Sequence, residues 1–136
     1  MTRTPTAPRG APFWFTPHAT TWWPDPSRRL HVATAPTKPR HRDGLISALA
    51  QELQFPGGAA TSWDMLTDRL RDLSWLPCDD VVLIHRRIPQ LPRGLLAGYF
   101  DVLIRAHSER LADAPKLCVV FPIDLWGEVT ALAPPC

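Results

Sequence analysis

Three aspartates, Asp64, Asp68 and Asp72, recur at every fourth residue within FPGGAATSWDMLTDRLRDLSWL, residues 55–76. On a helix such residues are neighbours, and like charges there repel by about 0.2–0.5 kcal/mol per pair. A carboxylate pair could share acid–base work if burial or mutual charge raised one of the two pKa values. Nothing in the spacing requires burial, and no His, Cys or Ser nucleophile pattern accompanies the acids. A hard cation would need further oxygen ligands that the sequence does not name, so no metal or cofactor is implied. On pattern alone the acids read as a solvated helix face. Asp64 fits that reading well, since an acid in the first turn favours the helix dipole and nearly completes a capping box with Thr61. Asp68 gains no such help. It lies between Asp64 and Asp72, and only Arg71 offers relief at i+3.

The helix carrying these acids is bounded by its own residues. Thr61 or Ser62 is a good N-cap, and Trp63, Leu66, Leu70 and Leu73 form the stripe that must be buried. Before it, DGLISALAQEL spaces Leu45, Leu49, Ala50 and Leu53 at helical intervals and stops at Phe55-Pro56, with Gly57-Gly58 marking a loop. A third helix is expected from about Gly94 to Ala112, with Leu96, Tyr99, Phe100, Leu103 and His107 on one side. LHVATA (30–35), Val81–His85 and LCVVF (117–121) read as strands, the last continuously apolar, as buried parallel strands are. The alternation of strands and helices predicts an α/β domain with a small three-stranded parallel sheet covered by helices. No glycine-rich phosphate loop follows any strand, which argues against Rossmann or P-loop nucleotide binding.

Composition sets the frame. The 136 residues suit one domain, 45% hydrophobic and 21% charged, with 16 prolines and 6 tryptophans. Six of the prolines fall before residue 27 and exclude a regular helix there, so residues 1–27 read as a Pro/Trp-rich arm and 28–136 as the folded domain. The arm is expected to lie loosely on the domain, its tryptophans filling surface grooves. The net charge of +2 conceals an asymmetry: residues 1–42 hold seven basic residues against Asp25 alone, while residues 43–136 hold eight basic and twelve acidic ones. Cys78, Cys118 and Cys136 share no CxxC spacing, which argues against a disulfide framework or a zinc site, and Cys118 reads as a core residue. His85 and His107, each alone on an apolar element, read as core histidines. With no signal-like or membrane-spanning apolar run, a reduced cytoplasmic location is expected.

The ungapped run from Pro56 to Leu70 resembles the barstar family, intracellular inhibitors of secreted microbial ribonucleases. In that family a proline ends the first helix, and a loop and a small polar residue follow. An apolar residue then precedes Asp-x-Leu-x-Asp-x-Leu. Here Pro56, Ser62, Trp63, Asp64, Leu66, Asp68 and Leu70 fall in register. The trailing DLSWLP is similar to the version common in actinobacterial members. The resemblance spans roughly residues 28–136 and implies the same three-stranded parallel sheet. It also implies that Asp64 and Asp68 enter a ribonuclease active site in place of RNA phosphates. At the loop where the family has an aromatic pair and a glycine, this chain has Gly58, Ala59 and Ala60. Arg105 stands where the family can supply a further acid.

The resulting expectation is a partner-binding surface made of Gly58, Ala59, Ala60, Thr61, Ser62, Asp64 and Asp68, with Asp72 at its rim and Trp63 in the core. The protein partner would be a secreted or toxin-type ribonuclease, and the role that of an inhibitor or immunity protein rather than an enzyme. Two alternatives come from other classes. One is a divergent interaction module without ribonuclease inhibition. The other is a nucleic-acid binder using the basic arm and its tryptophans, against which the acidic body argues.

Overall fold

A computed structural model describes residues 13–16, 27–57 and 62–132. Its elements run β1 (Phe13–Thr16), β2 (Leu30–Thr34), α1 (Arg42–Glu52), α2 (Trp63–Asp72), β3 (Asp80–Ile84), α3 (Arg93–Ser108), β4 (Lys116–Pro122), a short 3-10 turn (Ile123–Leu125) and α4 (Trp126–Leu132). All strand pairs are parallel, in the order β1-β4-β3-β2. The sheet therefore has four strands among the described residues, not the three expected from sequence.

The additional strand, FWFT, comes from within the segment read as an arm. Pro12 and Pro17 flank it. Proline bars a helix and an interior strand, but a short edge strand needs ladder bonds on one side only. Among the described residues β1 meets that condition, pairing only with β4, from Phe13↔Val119 to Thr16↔Pro122. Phe13 and Phe15 are buried, and Phe13 meets Phe100 and Phe121 edge-on at centroid distances of 5.6 and 5.8 Å. Trp22 and Trp23 lie outside the described residues.

The interior strands explain their sequences. β3 and β4 are covered on both faces, which is why VVLI and LCVVF are apolar without alternation. β2 is an edge and shows it: Val32 is exposed, while the Glu52 carboxylate accepts from the Thr34 backbone N–H at 3.0 Å and the Glu52 carbonyl lies 3.0 Å from His31 Nε2. The starts of β2 and β3 are joined by the Arg28 guanidinium, which forks onto the buried carboxylate of Asp80, one of its bonds being 2.8 Å. A buried carboxylate needs such a partner, because an unpaired one is expensive to desolvate.

Leu45, Ile46 and Leu49 of α1, Leu66 and Leu70 of α2, and Tyr99, Phe100 and Leu103 of α3 complete the core. α3 ends at Ser108 rather than near Ala112. The chain turns there so that the Leu111 N–H can donate to Arg71 O at 3.1 Å, which ties the ends of α2 and α3 together.

Candidate functional site

The acidic helix is fixed at both ends. At its start the Met65 backbone N–H donates to Ser62 Oγ at 3.2 Å, so Ser62 is the N-cap. Gly58, Ala59, Ala60 and Thr61, the remainder of the expected surface, lie outside the described residues. Upstream, Gln54 and Gly57 take left-handed φ values of 55° and 75°. Between them Phe55 turns inward, its N–H bonded to Ala50 O at 3.0 Å. At the other end Leu73 caps the helix in a left-handed conformation, with φ 50° and its N–H on Arg69 O. Trp75 then reaches back: its indole N–H donates to Leu53 O at 2.9 Å, and its ring meets Phe55 edge-on. The segments entering and leaving α2 are thereby pinned to each other.

Leu66, Leu70 and Leu73 are buried as the stripe requires, whereas Trp63 is half-buried. Trp63 spreads over Gly98 of α3, and no larger residue would let the two helices approach so closely. Thr67 is also buried, its hydroxyl donating to Trp63 O at 2.9 Å.

The three aspartates separate into two kinds. Asp64 and Asp68 are exposed, the Asp68 side chain by 74%. Arg71 Nη1 lies 3.8 Å from Asp68 Oδ1, the i+3 relief expected from sequence, and an exposed pair of this length contributes little. Asp72 is half-buried and helps to end the helix, where its Oδ1 accepts from the Ser74 N–H at 3.3 Å. α2 thus offers two carboxylates to solvent on one side, with Met65 exposed beside them.

Other chemistry-bearing groups lie elsewhere. His85 is fully buried, stacked on Phe121 at 4.3 Å, with Nε2 2.7 Å from the Tyr99 hydroxyl. Desolvation pushes its pKa down to about 3, so the ring is neutral. Burial raises the Cys118 thiol to about 12, far from a reactive thiolate, and depresses His107. A polar cleft of about 430 Å³, lined by Arg28, Arg29, Cys78, Asp79 and Arg110 among others, opens at the amino-terminal edge of the strands. Arg28 is engaged by Asp80, and Arg29 by Asp79, whose carboxyl is held below the usual range chiefly by the Arg29 backbone N–H; Arg110 donates to Ala114 O at 3.0 Å, and Asp113 completes the charged lining. Among the described residues no cluster of three or more metal-ligating side chains occurs. Sequence reasoning missed Gly98 and Trp75. A helix-interior glycine and the aromatic of DLSWLP were the available signals.

No curated protein and no solved structure matches the chain significantly. The family model described as Barstar (barnase inhibitor) matches residues 30–122, from the first residue of β2 to the last of β4. The match covers well over half of the chain and takes in the acidic helix with the elements that hold it; the chain belongs to the barstar family.

Proposed function

We propose that the protein is an inhibitor of a ribonuclease-type enzyme, acting in the cytoplasm as an immunity protein and working by occlusion rather than catalysis. The loop from Gly58 to Ser62 and the exposed side of α2 form the contact. Asp64 and Asp68 take the places of RNA phosphates in a basic active site, and Asp72 lies at the rim. The observation that carries this reading is the pair of exposed carboxylates on a helix fixed at both ends. A carboxylate held in place loses little freedom on binding, and acids gathered on one face accelerate encounter with a basic cleft. Repulsion tolerated in the free protein then becomes complementarity in the complex.

The test is inhibition of a small secreted ribonuclease of the barnase type, followed by calorimetry. Stoichiometric inhibition is expected, with Asp64→Ala and Asp68→Ala each weakening binding by about a hundredfold or more, as desolvated charge pairs do. Unchanged affinity in both variants overturns the reading. Binding of another protein through the same face, without inhibition, would identify the domain as a divergent interaction module.

A further inference from the structure

We propose that a second face, at the carboxyl ends of β2 and β3, binds the phosphate backbone of a nucleic acid strand. The inference is independent of the ribonuclease reading, since it uses different residues.

The face arises from register. β2 and β3 run parallel with Thr34 beside Ile84, and the Ala35 N–H donates to Ile84 O at 2.8 Å, so the loops that follow leave the same edge side by side. The Gln90 N–H then donates to Thr37 O at 3.0 Å and joins one loop to the other. The first loop, TKPRHR, supplies Lys38, Arg40 and Arg42; the second, RRIPQLPR, supplies Arg86, Arg87 and Arg93. Within residues 35–43 and 85–93 these six cations face one acid, Asp43, which lies 3.5 Å from Arg42. Asp124 leaves the same edge after β4 but forms no ion pair with them, and neither do Asp64 or Asp68 of α2. Among the described residues, the side chains of Lys38, Arg40, Arg86, Arg87 and Arg93 make no ion pair or hydrogen bond, and all five are exposed.

The loops are built rather than slack. Pro39 and Pro89 are buried and anchor them. Arg40 is held in the left-handed region at φ 67°, and a Cβ on Gly44 would lie 2.6 Å from Pro39 O, so the first loop folds tightly against α1. α3 opens on the same edge without a side-chain cap and without an acid in its first turn, which adds to the positive potential.

Two kinds of polyanion could neutralise such a face, a nucleic acid backbone or an acidic protein. Protein interfaces depend on a desolvated apolar or aromatic centre, and none stands among these side chains: Ile88 and Leu91 are half-buried against the core. Phosphate binding needs no such centre, and the forked guanidinium suits it. Neither loop carries a Phe, Tyr or Trp to stack on bases, and the exposed Trp126 belongs to the segment after β4, so binding tracks the backbone and is indifferent to sequence.

The experiment titrates the full chain into a labelled single-stranded RNA of roughly 20 nucleotides, with a duplex DNA of equal length as a second arm, over about 50 to 200 mM salt. Arg86→Glu/Arg87→Glu is compared with Arg29→Glu/Lys116→Glu, which changes the charge equally at the opposite edge of the sheet. The expected result is at least tenfold weaker binding for the first pair and less than twofold change for the second. In the milder Arg86→Gln/Arg87→Gln variant, the salt slope should flatten by about 1.4 on single strands or 1.8 on duplex. Circular dichroism melts establish that each variant is folded, and binding in either arm supports the proposal and identifies the strand. Equal losses in both glutamate pairs would reduce the effect to net charge and overturn it. So would undiminished binding by Arg86→Glu/Arg87→Glu, or binding of polyglutamate with neither nucleic acid bound.

Discussion

The indole of Trp63 lies against Gly98 so closely that a Cβ placed there would sit 2.9 Å from Nε1 and 3.2 Å from Cε2. This contact sets the first turn of α2 on α3 and therefore the place of Asp64, the next residue. Gly94, one turn earlier in α3, has open space around an added Cβ. Gly94→Ala should stabilise the protein by about 0.5–1 kcal/mol, since only helix propensity changes. Gly98→Ala has the same propensity gain but displaces the indole, and overpacking costs about 1–3 kcal/mol. Urea melts should rank Gly98→Ala below Gly94→Ala by about that margin, with a shift in tryptophan emission for Gly98→Ala alone. Equal stability would mean that Trp63 yields freely and does not position the helix.

Asp68 and Asp72 should respond oppositely to removal. Asp68→Ala relieves two like-charge neighbours and loses only a long, exposed contact with Arg71, so stability should stay within about 0.5 kcal/mol of the parent. Asp72→Ala leaves the Ser74 N–H without its acceptor and should cost about 0.5–1.5 kcal/mol. In ribonuclease binding the order should reverse, with Asp68→Ala the more damaging. Thermal melts and titration of the same two variants check both halves.

What the sequence revealed depended on whether a signal was local. β3 and β4 could be read because burial on both faces writes itself as an unbroken apolar run. α2 could be read because Ser62, the leucine stripe and the aspartates all belong to one helix. β1 could not, because its four residues sit between prolines and are stabilised only by pairing with a strand about a hundred residues away. The Trp63–Gly98 contact and the Trp75–Leu53 bond are likewise tertiary. The basic loops are half visible: TKPRHR falls within the basic first 42 residues, while RRIPQLPR is averaged into the acidic remainder. Only the β2–β3 register brings them together.

β1 should matter more than its length suggests. Phe13 is fully buried among Phe100 and Phe121, so Phe13→Ala should cost about 3–5 kcal/mol. Deleting residues 1–12 keeps β1 and should leave cooperative unfolding, whereas deleting residues 1–16 bares the edge of β4, an apolar strand prone to pair with another chain. Light scattering and denaturant melts should show association and lowered stability only for the longer deletion. If both truncations behaved alike, β1 would contribute nothing to the sheet.

His85 should make the fold acid-sensitive. Its pKa in the folded state, about 3, lies below the ordinary value of 6.5 because burial opposes the charged ring. Between those values the unfolded chain binds a proton that the folded chain does not. Stability from this group is therefore complete above about pH 6.5 and is lost as pH falls towards 3, at about 1.4 kcal/mol per pH unit in the middle of the window. His107, also depressed by burial, and Asp79, held low by Arg29, act in the same direction, so the parent's total dependence exceeds that of His85 alone. His85→Gln removes one contribution and leaves the others. The variant should be less stable than the parent at pH 7, where it loses the stack on Phe121, yet the gap should narrow steadily from pH 6 to pH 4. Urea midpoints at several pH values measure that gap. A gap that stays constant with pH would mean that His85 gains its proton in the folded state as readily as in the unfolded one, contrary to its burial.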